Sequence, residues 1–471
     1  MTLTGSVVET PPAGGPSQAL HTDHYELTML EAALASGVAP KRAVFEVFAR
    51  RLPPGRRYGV LAGVERLAEA VCSLRFGPEE LDAVAAAGVV GPAGLERLAG
   101  YRFSGSIDAY AEGELFFPFS PVLTVEATFA EAVVLETLVL SVLNHDSAVA
   151  SAAARMTEAA QGRTLIEMGS RRTHEEAAVD AARAAYLAGF TATSNLEAGR
   201  RYRVPTTGTA SHAFVLAHAD ERAAFRAQID AQGPGTTLLV DTFDIAEGIR
   251  AAVEVAGPGL GAIRIDSGNL AVEARRARAL LDSLGAGSTR IVVSGDLDEY
   301  AIEELAPVPI DAYGVGSKVV SGSGAPSASF VYKLVAIAGG DGDDQGLRPV
   351  GKRSAGKTNR GGRKTAWRVL SADGLATGEV VAVSEDGGGT GPPDAGLMPA
   401  DWMGPSASAR PLQTRVVEDG RPTRRASLAG AREHRARAMV ELAPLARMIV
   451  AGPPALEVTF VGSPVATEAV R

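Results

Sequence analysis

The sequence predicts an α/β protein in which a parallel barrel or sheet carries an N-terminal α+β lobe and a C-terminal lobe. The main observation is a series of seven short apolar segments between residues 164 and 316, most of them followed by a polar or Gly-rich turn and a helix-like segment. Their spacing of roughly 14 to 32 residues is typical of β/α units. The second observation is the length, because 471 residues exceed the usual size of one domain and predict two or three lobes.

Composition excludes several classes of function. The net charge of -9 and the pI of about 5.5 argue against nucleic acid or an anionic membrane as the main partner. The single cysteine, Cys72, excludes an intramolecular disulfide framework and a multi-cysteine zinc site. The most apolar helix-like run, EAVVLETLVLSVLNH, is interrupted by Glu131, Glu136 and His145 and falls short of the ~20 residues that span a bilayer. We therefore expect a cytoplasmic protein that has neither nucleic acid nor a membrane as a partner.

The N-terminal part predicts a tail followed by an α+β lobe. Residues 1–18 include the segment TPPAGGPSQ and carry no basic or strongly apolar leader pattern, so we expect a disordered tail. The lobe, residues 19–130, begins with the helix-like segment LHTDHYELTMLEAALASG, in which Tyr25 lies in the first turn. The segments RAVFEVFARRLP, IDAY and PVLTVEA predict strands, and residues 59–99 predict helices.

The central part, residues 131–339, contains the predicted barrel. A long helix over residues 131–161 precedes the seven predicted strands, which are TLIEMG, FTATSN, VPTTGT, TTLLVD, AIRID, RIVVSG and DAYGVG. Ligand-type residues stand at or just after the C-terminal end of every strand: Arg171 and Arg172; Thr193, Ser194 and Asn195; Gly208, Thr209 and His212; Asp241; Arg264, Asp266 and Ser267; Gly295 and Asp296; Gly314, Gly316 and Ser317. Because the βα loops of a barrel converge at that face, the pattern predicts an active site there, although any single end could be a turn or a helix cap.

One of these ends, residues 204–218 with the sequence VPTTGTASHAFVLAH, brings hydroxyl groups, backbone N–H groups and an imidazole together. The stretch alone leaves two interpretations open. Ser211 could simply cap the helix that holds His212, or the turn could bind an anion. The polar residues at the other strand ends favour an anion.

The remaining residues, 340–471, predict a C-terminal lobe. The segment RPVGKRSAGKTNRGGRKTAWRVL, residues 348–370, is dense in Lys, Arg and Gly and ends in a strand pattern at Trp367 and Val369. In an acidic protein such a segment is a candidate for anion binding, and a solvated basic turn is the alternative.

Taken together, these motifs resemble the nicotinate phosphoribosyltransferases, a family within the type II phosphoribosyltransferases. The resemblance covers most of the chain and rests, in chain order, on TDHYELTML, FEVFARRLP, LETLVLSVLN, EMGSRRTHEEAAVDAARAAYLAGFTATSNLEAG, GTASHAF, LLVDTFD, IRIDSGNL, VVSGDLDE, AYGVGSKVV and VYKLV. It implies an irregular parallel α/β barrel with an N-terminal α+β lobe and a C-terminal lobe, in a homodimer whose active site is completed by the second subunit.

The resemblance also implies a reaction. A 5-phosphoribosyl group would pass from phosphoribosyl pyrophosphate to the ring nitrogen of nicotinate, giving nicotinate mononucleotide and pyrophosphate in NAD salvage. Mg²⁺ is the implied cofactor. ATP is the implied co-substrate, and its hydrolysis would be coupled through a phosphohistidine, which would class the enzyme as a ligase.

The same resemblance implies roles for single residues. His212 would take the phosphoryl group from ATP, and a neutral imidazole nitrogen suits that role. Asp241 and Asp266 would hold ribose hydroxyls or Mg²⁺, for which oxygen ligands are appropriate. The implied substrate contacts are Tyr25, Met168, Arg171, Ser194, Thr209, Arg264, Ser267, Thr358 and the ribose-phosphate cradle Gly295, Asp296, Gly316 and Ser317.

Several of these contacts concern the choice of substrate. Arg264 or Arg171 would supply the cation that the nicotinate carboxylate needs, and Tyr25 would stack on the pyridine ring from the partner subunit. Met168 stands where the family often has an aromatic residue. The related nicotinamide enzymes carry an aspartate at the position of Ser194, and an aspartate would repel a carboxylate, so Ser194 favours nicotinate.

Other functions stay open at this point. A nicotinamide or quinolinate phosphoribosyltransferase would share the fold, but quinolinate has two carboxylates and should demand more cations than Arg171, Arg172 and Arg264. A catalytically silent nucleotide-binding barrel is another class, although the histidine and the acidic pair of the family are retained. A barrel isomerase or aldolase would place a catalytic Lys or Glu at a strand end, and the candidates Lys318 and Glu167 lie in the family motifs instead.

Overall fold

Two large β-sheets and the helices around them build most of the chain. A computed structural model describes residues 18–339, 346–352, 354, 359–384, 408–423 and 426–462. The helices are α1 (His24–Ala35), α2 (Val64–Ser73), α3 (Pro78–Ala87), α4 (Pro92–Ala99), α5 (Phe129–Val133), α6 (Glu136–Ala159), α7 (Glu175–Leu187), α8 (Leu196–Tyr202), α9 (His212–Leu216), α10 (Glu221–Gln232), α11 (Ile245–Ala256), α12 (Leu270–Ser283), α13 (Glu299–Glu304), α14 (Ser317–Val320), α15 (Leu428–Glu441) and α16 (Pro444–Arg447), with a 3-10 turn at Gly322–Gly324. The strands are β1 (Arg42–Ala49), β2 (Gly59–Val60), β3 (Ser106–Tyr110), β4 (Leu115–Phe116), β5 (Leu123–Thr128), β6 (Thr164–Glu167), β7 (Ala192–Thr193), β8 (Thr237–Leu239), β9 (Ala262–Ile265), β10 (Arg290–Gly295), β11 (Ala312–Val315), β12 (Phe330–Ala338), β13 (Leu347–Pro349), β14 (Arg363–Leu370), β15 (Ala376–Ser384), β16 (Ser408–Pro411), β17 (Gln413–Glu418), β18 (Arg421–Pro422) and β19 (Val458–Val461).

The first large sheet is antiparallel and has the strand order β13-β12-β1-β5-β3-β17-β18. Its inner strand β1 is buried at every residue after Arg42, and the core beside it includes Leu30 of α1 and Val71 of α2. The predicted first helix and the strands in RAVFEVFARRLP, IDAY and PVLTVEA are confirmed, with α1 beginning at His24. Within the predicted helical region, Gly59–Val60 instead forms β2 and pairs with β4.

The predicted lobes, residues 19–130, 131–339 and 340–471, stay a prediction, and the sheets cross their boundaries. Strand β12, from the predicted barrel segment, pairs with β1, and β17, from the predicted C-terminal lobe, pairs with β3. Backbone N–H and C=O groups pair with whichever strand lies beside them in the folded chain, however far apart the two strands are in sequence. The predicted tail, residues 1–18, lies outside the described residues except for Gln18.

The second large sheet is parallel and has the strand order β7-β6-β11-β10-β9-β8. Its strands and the helices that follow them confirm the α/β class, in an open half-barrel form. One predicted strand, VPTTGT, is wrong: it makes only a single bridge, between Thr206 and Thr193. The segment contains Pro205 and Gly208 and offers few apolar residues to a core, which explains why it stays a loop.

The long helix predicted over residues 131–161 is divided into α5 and α6 by Val134 and Leu135. Helix α6 buries a run of alanines against the small-residue face of α7, and both belong to the core beneath the parallel sheet. Among the described helices, none combines the length and the apolar character that a membrane crossing requires.

Candidate active site

Side-chain alternation along the parallel strands sets the floor of the site. Successive residues of a strand face opposite sides of the sheet. A small apolar cluster lies on one face and consists of Ala262, Val292 and Ala312. Arg264, Ser294 and Gly314 stand two residues further along the same three strands. They therefore share that face, at the C-terminal edge where the loops begin.

A cavity of about 980 Å³ opens at this edge, a size suited to a small-molecule site. Its lining includes these residues predicted from the sequence: Met168, Arg171, Ser194, Thr209, His212, Arg264, Asp266, Gly295, Asp296, Gly316 and Ser317. It also includes residues that the sequence analysis did not name: Ser170, Leu196, Thr206, Thr207 and Ser294. Ser294 could have been found, because it directly precedes Gly295 at the end of a predicted strand.

His212 and Asp241 form a fixed pair beside the cavity. Nε2 of His212, whose side chain is 40% exposed, lies 3.0 Å from Oδ1 of Asp241, whose side chain is 1% exposed. The other oxygen of Asp241 accepts hydrogen bonds from the backbone N–H of Asp266 at 2.8 Å and the hydroxyl of Ser267 at 2.7 Å. Burial alone would raise the pKa of Asp241, but the bonds from Ser267, Asp266 and His212 together lower it.

The pair also fixes the tautomer of the imidazole. Since Asp241 is ionised near pH 7, it accepts the N–H of Nε2, and the lone pair of His212 is on Nδ1. Ser211 occupies the N-cap position of α9, but its side chain makes no capping hydrogen bond. The capping interpretation of this stretch is therefore wrong, and anion binding stays a prediction.

Arg264 is the centre of a second hydrogen-bond network. Its Nε donates to Oγ of Ser294 at 2.7 Å, its Nη1 to Oγ1 of Thr209 at 3.1 Å and its Nη2 to Oδ1 of Asp266 at 2.8 Å. The hydroxyl of Ser294 donates in turn to the same oxygen of Asp266. Asp266 therefore balances the charge of Arg264, and two of the five N–H groups of the guanidinium have no partner among the described residues and are available to a ligand.

A buried carboxylate, Glu167, ties two loops of the cavity together. It accepts hydrogen bonds from the backbone N–H of Gly169 and from the hydroxyl of Thr193. Its backbone carbonyl accepts the N–H of Ser194 at 2.8 Å. Burial raises the pKa of Glu167 above its usual value. The carboxyl lies beneath the loops and outside the cavity lining, which suits a structural role.

Two glycines make room at the strand ends. A Cβ on Gly314 would stand 2.7 Å from the sulfur of Met168 and 3.1 Å from Cβ of Ser294, so glycine lets both side chains lie against β11. Gly295 has a φ of +142°, a conformation that residues with side chains rarely adopt. The turn at Gly295 carries Asp296, which is exposed at the cavity.

The cavity also presents two cations, Arg171 and Arg172, that have no partner among the described residues. Arg171 and Arg172 are exposed, and neither guanidinium makes a hydrogen bond or ion pair with another residue of the described ranges. Lys318 lies 3.7 Å from Asp298 and is paired. With Arg264 balanced by Asp266, the two exposed arginines supply the net positive charge for an anionic ligand.

Comparison with known proteins places this arrangement in a family. Residues 20–144 match the family model of the nicotinate phosphoribosyltransferase (NAPRTase) N-terminal domain. A nicotinate phosphoribosyltransferase of Mycobacterium tuberculosis, pncB1, is 55% identical over 422 residues, which cover 88% of this chain and 89% of that protein. The chain belongs to the nicotinate phosphoribosyltransferase family.

More distant members agree with this assignment. The nicotinate phosphoribosyltransferase of Bacillus subtilis is 36% identical over 393 residues, covering 79% of this chain and 77% of that protein. The crystal structure of human nicotinic acid phosphoribosyltransferase superposes with a TM-score of 0.76 at 25% identity, covering 93% of this chain and 97% of that one. The irregular α/β fold implied by the nicotinate phosphoribosyltransferase resemblance is thereby confirmed.

Two contacts implied by the nicotinate phosphoribosyltransferase resemblance, Tyr25 and Ser267, are not among the described residues that line the cavity. Tyr25 lies at the start of α1, is 42% exposed and bonds to Glu136. Burial, with the negative charges of Glu136 and Glu26, raises its pKa. Its stacking from a partner subunit stays a prediction. Thr358 lies outside the described residues.

The basic segment, residues 348–370, has a partly structural role. Arg363 and Lys364 are buried in β14, 3.0 Å from Asp108 and 2.8 Å from Glu46 respectively. For these two residues, both anion binding and solvation are wrong expectations, because each cation neutralises a carboxylate of the antiparallel sheet.

The Mg²⁺ implied by the nicotinate phosphoribosyltransferase resemblance can be tested against the donor set. Over the described ranges, no three His, Cys, Asp or Glu side chains are grouped to hold a metal ion. Both oxygens of Asp241 accept hydrogen bonds, whereas Oδ2 of Asp266 accepts none from a described residue. Mg²⁺ is commonly held by one or two carboxylates together with substrate phosphates. Asp266 and the exposed Asp296 fit that mode better than Asp241 does.

Proposed function

We propose that this protein is an enzyme that transfers the 5-phosphoribosyl group of phosphoribosyl pyrophosphate to the ring nitrogen of nicotinate. The products are nicotinate mononucleotide and pyrophosphate, in a step of NAD biosynthesis. The observation that carries the proposal is the joint placement of unpaired arginines, a carboxylate-bound histidine and an Arg–Asp pair around one cavity. The names of relatives that match over most of their length support it.

Anion recognition defines how the substrates bind. The two N–H groups of Arg264 that have no partner among the described residues bind the nicotinate carboxylate, and Thr209 lies beside Arg264. The backbone around Gly295 and Gly316, with the hydroxyl of Ser317, receives the ribose 5-phosphate. These placements hold the two reactants together and so convert a bimolecular step into one within a single complex.

In the transfer step, the nicotinate nitrogen forms a bond to C1 of the ribose as the bond from C1 to the pyrophosphate oxygen breaks. The leaving pyrophosphate carries the developing negative charge, which Arg171 and Arg172 stabilise. Asp266, held by Arg264, receives a ribose hydroxyl. Asp266 and Asp296, together with the substrate phosphates, would hold Mg²⁺, which would supply further positive charge near the leaving group.

ATP coupling is carried by His212. Its Nδ1 lone pair attacks the γ-phosphorus of ATP, the bond to the β–γ bridging oxygen breaks, and ADP leaves. The proton on Nε2 stays bonded to Asp241, whose charge offsets the positive charge that develops on the ring. Water later hydrolyses the phosphohistidine. The reaction thus belongs with ATP-coupled ligases.

Substrate choice depends on the charge around the ring pocket. Ser194 is neutral and lines the cavity, so it tolerates the nicotinate carboxylate, whereas the nicotinamide enzymes carry an aspartate there. Quinolinate carries a second carboxylate, which would need a further cation. Arg171 and Arg172 are the cavity arginines left without a partner among the described residues, and both are already assigned to the pyrophosphate. The cavity therefore favours nicotinate over quinolinate. We assign Tyr25 to the ring pocket of a second subunit in a homodimer.

One assay tests the proposal. Purified protein is incubated with nicotinate, phosphoribosyl pyrophosphate and Mg²⁺, with and without ATP, and nicotinate mononucleotide is measured. We expect product in both reactions and more with ATP. Absence of product in both would contradict the proposed transfer, and nicotinamide mononucleotide formed preferentially from nicotinamide would contradict the substrate choice.

A histidine pair tests the coupling. His212→Asn should abolish the stimulation by ATP, and mass spectrometry under alkaline handling should find phosphate on His212 in the parent protein. His218→Asn is the matched control, since His218 follows the same short helix and bonds only to the backbone carbonyl of Phe214 at 2.8 Å. Equal ATP stimulation in both variants would refute the phosphohistidine.

A further inference from the structure

We propose that Ser294 is a positioning residue that fixes Arg264 and Asp266 in the geometry needed for substrate binding. This inference rests on the proposed function, because it assigns those two residues to nicotinate and ribose. Ser294 lies at the end of β10, is 3% exposed and lines the cavity. The sequence motifs gave it no role.

The hydroxyl of Ser294 closes a three-membered ring of hydrogen bonds. It accepts from Nε of Arg264 at 2.7 Å and donates to Oδ1 of Asp266, and Nη2 of Arg264 donates to the same Oδ1 at 2.8 Å. A guanidinium can only donate and a carboxylate can only accept. A hydroxyl does both, so the Ser294 hydroxyl can accept from the guanidinium and donate to the carboxylate at the same time.

The ring determines which polar groups are left for the substrate. Nε and one N–H of Nη2 of Arg264 are used within the ring, and Nη1 gives one more bond to Thr209. Within the part of the chain that the structure describes, two N–H groups of Arg264 and Oδ2 of Asp266 remain without a partner. Without the hydroxyl, Nε of Arg264 would lose its acceptor and the guanidinium could rotate toward other acceptors.

The surrounding sheet has space for a serine at this position. Ser294 pairs in register with Gly314, which has no side chain. A Cβ on Gly314 would stand only 3.1 Å from Cβ of Ser294, so the glycine leaves the space that the serine occupies. One layer below, Val292 and Ala312 fill the same face with apolar side chains. The polar side chains at this level of the sheet thus lie directly above an apolar layer. Among the described residues, the Ser294 hydroxyl therefore has only Arg264 and Asp266 as partners.

The test compares Ser294→Ala with Ser294→Thr, which retains a hydroxyl. We expect Ser294→Ala to lower kcat/KM for nicotinate by about 10-fold to 100-fold, the range for loss of a hydrogen bond to a charged group, and calorimetry to show weaker nicotinate binding. Ser294→Thr should recover most of the loss. Ser147→Ala is the matched control, because Ser147 is fully buried and its hydroxyl bonds only to the backbone of Ala62.

A double-mutant cycle tests whether the effect passes through Arg264. Adding Ser294→Ala to Arg264→Met should cost little beyond Arg264→Met alone, because the group that Ser294 positions is already missing. Additive losses would overturn the inference, as would a Ser294→Ala enzyme that binds and uses nicotinate like the parent. A loss in Ser294→Ala that Ser294→Thr does not reverse would also count against it.

Failure of the proposed function gives a different result. If the parent protein forms no nicotinate mononucleotide, the transfer reaction is refuted at once. Calorimetry with nicotinate alone then still decides the inference: binding that weakens in Ser294→Ala and returns in Ser294→Thr supports it. Binding that is unchanged between the variants, or absent from the parent protein, overturns it.

Discussion

The Asp241→Asn substitution gives the most direct test of how the cavity prepares His212. Oδ2 of Asp241 accepts two donors, the N–H of Asp266 and the hydroxyl of Ser267. An asparagine that keeps both bonds must place its amide oxygen there, so its NH₂ group faces Nε2 of His212. The imidazole then accepts at Nε2 and carries its proton on Nδ1, and the nitrogen assigned to attack ATP is no longer nucleophilic.

The magnitude follows from this tautomer change. In serine protease triads, replacing the aspartate by asparagine costs about 10⁴-fold through the wrong tautomer, and we expect an effect of about 10³-fold or more on the ATP-coupled component. The stability cost should be smaller, on the order of 1 to 3 kcal/mol, because the charge-assisted bonds become neutral ones. Since the pKa of Asp241 is lowered, its contribution to stability is present above the unfolded value near 3.8 and is lost as the pH falls through the folded value.

The assay measures ATP hydrolysis, phosphohistidine and mononucleotide formation for Asp241→Asn. We expect the first two to be lost while some transfer without ATP remains. Asp244→Asn is the control, because Asp244 caps α11 by accepting the N–H of Glu247 at 2.9 Å, and asparagine is also a good cap. Normal ATP coupling in a folded Asp241→Asn enzyme would refute the reasoning.

Three further predictions concern other parts of the cavity. Ser194→Asp should raise KM for nicotinate about 10-fold or more through charge repulsion, measured against KM for phosphoribosyl pyrophosphate; unchanged nicotinate kinetics would sink the assignment. Gly314→Ala should lower activity about 10-fold, because the new Cβ would stand 2.7 Å from the sulfur of Met168, whereas Gly259→Ala, with nothing within 4 Å, should not; equal rates would contradict this packing. Arg171→Gln should raise KM for the anionic substrates and reduce its dependence on salt, and identical salt profiles in variant and parent would argue that Arg171 is only a solvated cation.

Local sequence patterns predicted much of the fold and of the cavity lining. Apolar segments followed by polar turns identified all six strands of the parallel sheet, because a strand that is buried against flanking helices needs apolar residues. The seventh predicted strand, VPTTGT, has a similar length, but it forms only one bridge, between Thr206 and Thr193. The convergence of the loops at one edge then follows from parallel strand direction alone, which is why most of the predicted residues line one cavity.

What the sequence by itself determined was the set of chemical groups at the strand ends, including His212 and the two aspartates. Only the tertiary structure decided which of those groups bond to one another, since hydrogen bonds between residues far apart in sequence depend on side-chain geometry. In the folded chain Asp241 bonds to His212, Asp266 pairs with Arg264, and Ser294 bonds to both Arg264 and Asp266. The tertiary structure likewise turned Arg363 and Lys364 into buried counterions, because their carboxylate partners come from strands over 250 residues earlier.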